Sequence, residues 1–151
     1  MSVRIEPRRR MLTPAIKLCL FASGLFLLIG LLTGVWKYRW MMMSGDHLAP
    51  VYVDIAHRAS FLYSFAALVL AKLLEYSPFP SRWQIVLAAL PLFYFAAAIA
   101  RYVQLGWRNS ITNQFGERNF ITTWGMYLLI AGELLGIAAI FGGFIYTQIL
   151  D

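Results

Sequence analysis

Four long runs of apolar residues, separated by short polar breaks, dominate the chain: Ala15 to Trp36, Ile55 to Leu74, Trp83 to Gln104 and Ile121 to Tyr146. Each supplies the roughly 20 residues a helix needs to cross a hydrocarbon core of about 30 Å. None alternates strictly between apolar and polar positions, as a barrel strand must. Backbone groups in lipid must also pair within their own segment, which leaves helices. The pattern therefore predicts an all-α integral membrane four-helix bundle, with residues 1–151 forming one transmembrane domain. Trp36 and Trp40 after the first run, Trp83 opening the third, and Trp107 and Trp124 on either side of the last loop fall where amphipathic rings settle at headgroup level.

Composition serves mainly to remove alternatives. The chain is 60% hydrophobic and 13% charged, whereas a soluble domain has about a quarter of its residues charged, so its solvent must be largely apolar. Its net charge of +6 is spread over the tail, the loops and the span ends without forming a stripe. Anionic lipid headgroups account for that placement, and a nucleic-acid partner is not expected. Arg8, Arg9 and Arg10 precede the first run, but the run is too long for a cleavable leader and ends in Trp-Lys-Tyr-Arg-Trp, without a small-residue cleavage site. It reads as a retained first helix. The basic tail places the N-terminus in the cytoplasm, and the even span count returns the C-terminus to that side; the expected location is a bacterial inner membrane. The single Cys19 lies inside the first span, so no disulfide framework or thiolate cluster is expected.

Between the second and third runs stands a short Ser-Pro-Phe-Pro-Ser turn, which makes those helices adjacent and antiparallel. The first and third connections read as longer, polar loops on one side of the membrane. Gly125, Gly132, Gly136 and Gly143 are spaced by seven, four and seven, near one helical face, and Gly30 and Gly34 form a second Gly-x-x-x-Gly pair. Such faces allow helices to approach closely, within one chain or between chains.

Polar groups in a bilayer are costly, so they are the first candidates for function. Asp54, His57, Ser60, Phe61 and Ser64 share one broad face of the second helix, which cannot point at lipid. A neutral imidazole at a helix end, with an acid one turn away to orient it, is a competent axial ligand for haem iron, and a structural hydrogen-bond network is the alternative. His47, in a Gly-Asp-His-Leu-Ala-Pro loop, reads as a solvated surface histidine. Glu133 near the middle of the fourth span needs a proton or a partner, for which Arg58, Arg101 and Lys72 are candidates. Its role is left open. Tyr63, Tyr94, Tyr102, Tyr127 and Tyr146 also lie in spans, where a phenol can donate to a developing oxyanion or simply pack.

Three stretches, Gly30-Leu-Leu-Thr-Gly34, Ala56-His57 and Asn113-Gln-Phe-Gly116, resemble a small family of four-helix membrane isomerases that includes hydroxylaminobenzene mutase and styrene oxide isomerase. The resemblance extends to length and loop placement over nearly the whole chain. It implies that His57, supported by Asp54, holds a b-type haem at a subunit interface, with the iron acting as a Lewis acid on an apolar epoxide or hydroxylamine. The candidate catalytic residues beside it are Tyr63, Tyr94 and Tyr102. Where the family has Asn and Gly six and seven residues after the histidine, this chain has Tyr63 and Ser64, and Tyr94 and Tyr102 are both displaced from the family's third-helix tyrosine.

The expected function is thus a small membrane haem protein, catalysing an intramolecular rearrangement and forming a homo-oligomer. The alternative is a non-catalytic accessory subunit of a respiratory or transport complex, whose glycine faces bind partner membrane subunits.

Overall fold

The computed structural model describes residues 12–110 and 120–150. The Arg8 to Arg10 tail, the Asn113 to Gly116 stretch and Arg118 lie outside these residues. The chain forms four helices, α1 (Pro14–Met43), α2 (Val51–Leu74), α3 (Ser81–Trp107) and α4 (Met126–Ile145), the last flanked by wider π-type turns at Ile121–Gly125 and Tyr146–Leu150. All four segments are long and apolar enough to cross a membrane. This is an all-helical, multi-pass membrane bundle.

Helix starts follow local chemistry. Thr13 caps α1 by accepting from the Ile16 N–H at 3.3 Å, with Pro14 in the first turn. Pro50 and Pro80 immediately precede α2 and α3, where a missing N–H costs nothing. The helices run further than the apolar runs suggest. α1 continues through Trp-Lys-Tyr-Arg-Trp to Met43, and its 30 residues make it about 45 Å long. Nothing in that polar stretch opposes helix, and its aromatic rings suit the interface. The first connection is consequently short, 44–50, and not the long loop expected. There the chain reverses with His47 at a left-handed φ of 54°. The Asp46 carboxyl accepts from the Leu48 N–H, which holds it below its usual range.

α1 packs chiefly on α2, α2 on α3 and α3 on α4, while α1 also meets α3 and α4 meets α2. The buried core is built largely from Ala15, Cys19, Phe26, Ala67, Leu70, Leu74, Ala88, Leu92, Phe95 and Ile140. Leu28, Leu31, Leu32, Phe65, Phe93, Leu134 and Leu135 are exposed. An apolar exterior of this extent is stable only in lipid.

Gly132, Gly136 and Gly143 of α4 close the bundle within the chain. Gly132 lies against the Tyr94 ring, Gly136 against Pro91, and Gly143 against Pro78 and Phe79. At Gly136 the contact follows from sequence: Pro91 has no N–H to give the Leu87 carbonyl four residues earlier, and a Cβ at Gly136 would stand 2.9 Å from that oxygen.

Candidate functional site

His57 occupies the α1-facing side of α2, one turn and a half into the helix. Its Nδ1 lies 2.8 Å from the carbonyl oxygen of Gly30. A carbonyl carries no proton, so Nδ1 donates, and in the neutral ring the lone pair then resides on Nε2. Nothing among the described residues bonds Nε2. The ring sits edge-on to Phe61, with centroids 5.0 Å apart and planes at 84°. Its seat is made by two glycines. A Cβ at Gly34 would come within 2.8 Å of the imidazole Cε1, and one at Gly30 within 3.3 Å of the Phe61 ring. Gly30 and Gly34 therefore open a cradle in α1 that the imidazole fills. The Gly30 carbonyl also accepts from the Thr33 hydroxyl at 3.0 Å, which helps fix it.

Asp54 does not orient this ring. Its two carboxylate oxygens are taken by Lys37 at 2.6 Å and Arg58 at 2.8 Å, and the imidazole turns to a backbone carbonyl instead. The reason is electrostatic, since two cations within reach bind a carboxylate more strongly than a neutral N–H does. Lys37 was the unforeseen member. The short first connection makes α1 and α2 a tight antiparallel pair and brings the end of α1 opposite the start of α2. The rest of the polar face does pack on α1: the Ser64 hydroxyl donates to the Ser23 carbonyl at 2.8 Å, while Ser60 satisfies itself on Ala56.

His47 makes a similar bond through Nδ1, 3.1 Å from the Met41 carbonyl, but it is exposed in the loop with no helix packed over it. The tautomer is common to both histidines, whereas only His57 has a cradle.

The tyrosines lie elsewhere. Tyr63 stacks on Phe95 of α3, with centroids 4.3 Å apart and planes at 11°. Tyr94 packs its ring on Gly132 of α4. Tyr102 joins Tyr63 along a groove between α2 and α3. These three phenols occupy the α3 and α4 side of α2, away from His57. They do not form one site with it inside a single chain. Glu133 follows Gly132 in α4, against which the Tyr94 ring packs. The three basic partners proposed for it are engaged elsewhere: Arg58 with Asp54, Arg101 with Gln104 and Lys72 with Glu75.

Among the described residues no three metal-ligating side chains gather. A haem would not need such a cluster, and His57 would hold it through Nε2. The His57 donor and the glycine cradle beside it fit that role. In comparisons with known proteins, no family model, no curated protein and no solved structure matches this chain.

Proposed function

We propose that this chain is a small membrane haem protein with His57 as the axial ligand, and that it carries out an intramolecular rearrangement of an apolar epoxide or hydroxylamine. The observation that carries the reading is the hydrogen bond from His57 Nδ1 to the Gly30 carbonyl. Metal-bound histidines characteristically donate their second N–H to a carbonyl or carboxylate, which fixes the tautomer, aims the free lone pair and raises ligand basicity. Four residues on, Gly34 withholds the side chain that would displace the ring.

When bound, haem iron supplies a Lewis acid that weakens a C–O or N–O bond without net electron transfer. The protein's own residues hold the imidazole in place. Asp54 pairs with both Lys37 and Arg58 one turn from the imidazole, which leaves one net positive charge in that cluster. The substrate class and the homo-oligomeric state rest on the family resemblance. The cytoplasmic placement of both termini rests on the basic N-terminal tail and the four spans.

An absorption spectrum tests the assignment. Protein purified in detergent from haem-replete cells, or titrated with hemin, is expected to give a stoichiometric Soret band. His57→Ala should abolish it or leave a weakly held species, and added imidazole should partly restore it. His47→Ala should keep it. A monodisperse, helical His57→Ala protein with the wild-type spectrum would falsify the reading, as would a wild type that binds no haem when haem is abundant.

A further inference from the structure

Near the end of α1 one face of the helix changes character over three turns. Leu32, Val35, Trp36, Arg39, Trp40 and Met43 follow one another in steps of three and one, so they form a single stripe. Together they line an open groove of about 480 Å³. At 1.5 Å per residue the stripe is about 16 Å long. Its deeper end, at Leu32 and Val35, is aliphatic and exposed. Trp36 and Trp40 follow, with Arg39 between them at the level where the helix leaves the hydrocarbon.

Part of this groove is held by α3. The Trp36 ring lies 6.2 Å from that of Trp107, with planes at 57°. Its Cη2 is so near Gly106 that a Cβ there would stand 3.2 Å away. Two contacts thus fix the indole that lines the groove. The cations at this end of the bundle differ in what they meet. Lys37 and Arg58 are paired with Asp54, and Arg101 is bonded to Gln104. Arg39 makes no ion pair or hydrogen bond with any described residue, so its guanidinium is available to a ligand in the groove it lines.

We infer that this groove seats one anionic phospholipid, its phosphate on Arg39, its ester region against Trp36 and Trp40, and an acyl chain along Val35 and Leu32. The order of chemistries along the stripe is that of such a molecule from headgroup to tail. A guanidinium offers a phosphate two parallel N–H donors, and indole rings settle at headgroup level. A choline lipid carries the same phosphate together with its own cation, which Arg39 repels. A soluble phosphate has nothing to place against the apolar part of the stripe. The site is separate from His57, because Gly30 and Gly34, which seat the imidazole and the Phe61 ring, lie on the opposite side of α1. It therefore stands whether or not haem is bound.

The test uses the full chain in detergent, with bound lipid counted by native mass spectrometry. The probes are phosphatidylglycerol and phosphatidylcholine with identical acyl chains. One phosphatidylglycerol per chain is expected, held about tenfold more tightly than phosphatidylcholine, or about 1.4 kcal/mol. This comparison needs no variant, so it stands even if a substitution disturbs the fold. Arg39→Gln is expected to remove the preference. Arg82→Gln takes the same charge from the start of α3, at the other end of the bundle, and should keep it, which separates a site from the pull of net charge. Inorganic phosphate in excess should leave the lipid bound. Equal retention of the two lipids by the unaltered chain, a folded Arg39→Gln protein that keeps the preference, an equal loss in Arg82→Gln, or displacement of the lipid by inorganic phosphate would each overturn the inference.

Discussion

Gly30 with Gly34 on α1, and Gly132 with Gly136 on α4, have the same four-residue spacing, yet they admit different neighbours. On α4 the Tyr94 ring comes in at Gly132, while at Gly136 the missing Cβ lets a helix come in. Pro91 and the Leu87 carbonyl press directly on Gly136, so backbone meets backbone. On α1 the missing Cβ atoms let side chains come in, and the space is filled by the His57 imidazole and the Phe61 ring. Small residues in a membrane helix thus create a vacancy of fixed size without specifying its occupant. Where the occupant is rigid backbone, as at Gly136, the glycine is structural, and at Gly34 it seats the ring of the candidate site.

Replacing one hydrogen by a methyl group is the most direct way to break this contrast. Gly136→Ala should have the largest effect, because its Cβ would stand 2.8 Å from Pro91 Cδ and 2.9 Å from the Leu87 oxygen, and neither belongs to a flexible side chain. We expect a loss of about 2 to 3 kcal/mol, read as a lowered melting temperature in detergent. A melting curve that overlays the wild type would mean that α4 does not pack on α3 in this way.

Gly34→Ala should be milder for the fold and selective for the site. Its Cβ meets the Cε1 end of a side chain at 2.8 Å, and that ring can swing. Doing so stretches the bond to the Gly30 carbonyl and misdirects Nε2. The expected outcome is a stability loss of about 1 kcal/mol, together with haem retention about tenfold weaker, or about 1.4 kcal/mol. Equal weakening of haem retention by Gly34→Ala and Gly136→Ala would erase the distinction between the two glycine pairs.

Gly24→Ala calibrates the scale. Nothing lies within 4 Å of its Cβ position, so melting and haem content should stay within about 0.5 kcal/mol of the wild type. A large effect there would indicate a neighbouring chain covering that face of α1, and would sharpen the case for an oligomer.

Much of this architecture was legible before any coordinates, for identifiable reasons. Lipid forbids unpaired backbone, so long apolar runs must be helices, and their number and approximate limits follow from counting. The polar face running from Asp54 to Ser64 was likewise forced inward, since no other arrangement hides it from the acyl chains. The ends were less legible. α1 runs to Met43 because interfacial residues such as Lys37 and Arg39 neither require lipid nor break a helix, so hydropathy does not mark where it stops.

Partners were the least legible. Asp54 one turn before His57 looks like its natural orienting acid, and only the packing of α1 shows Lys37 reaching that carboxylate first and the Gly30 carbonyl taking the ring. Glu133 could be recognised as costly from its position in the fourth span, but that it pairs with no cation among the described residues depended on where Arg58, Arg101 and Lys72 turned. The three tyrosines could be found in the spans, but their separation from His57 depended on how α2 is rotated between α1 and α3. The amino-acid sequence by itself determined the solvent, the number of helices and which faces could not meet lipid, because these follow from transfer free energies summed along one segment. Only the tertiary structure decided which group each polar side chain met, because a hydrogen bond or ion pair reaches about 3 Å, and which groups come that close is set by the relative rotation and depth of helices that no single segment encodes.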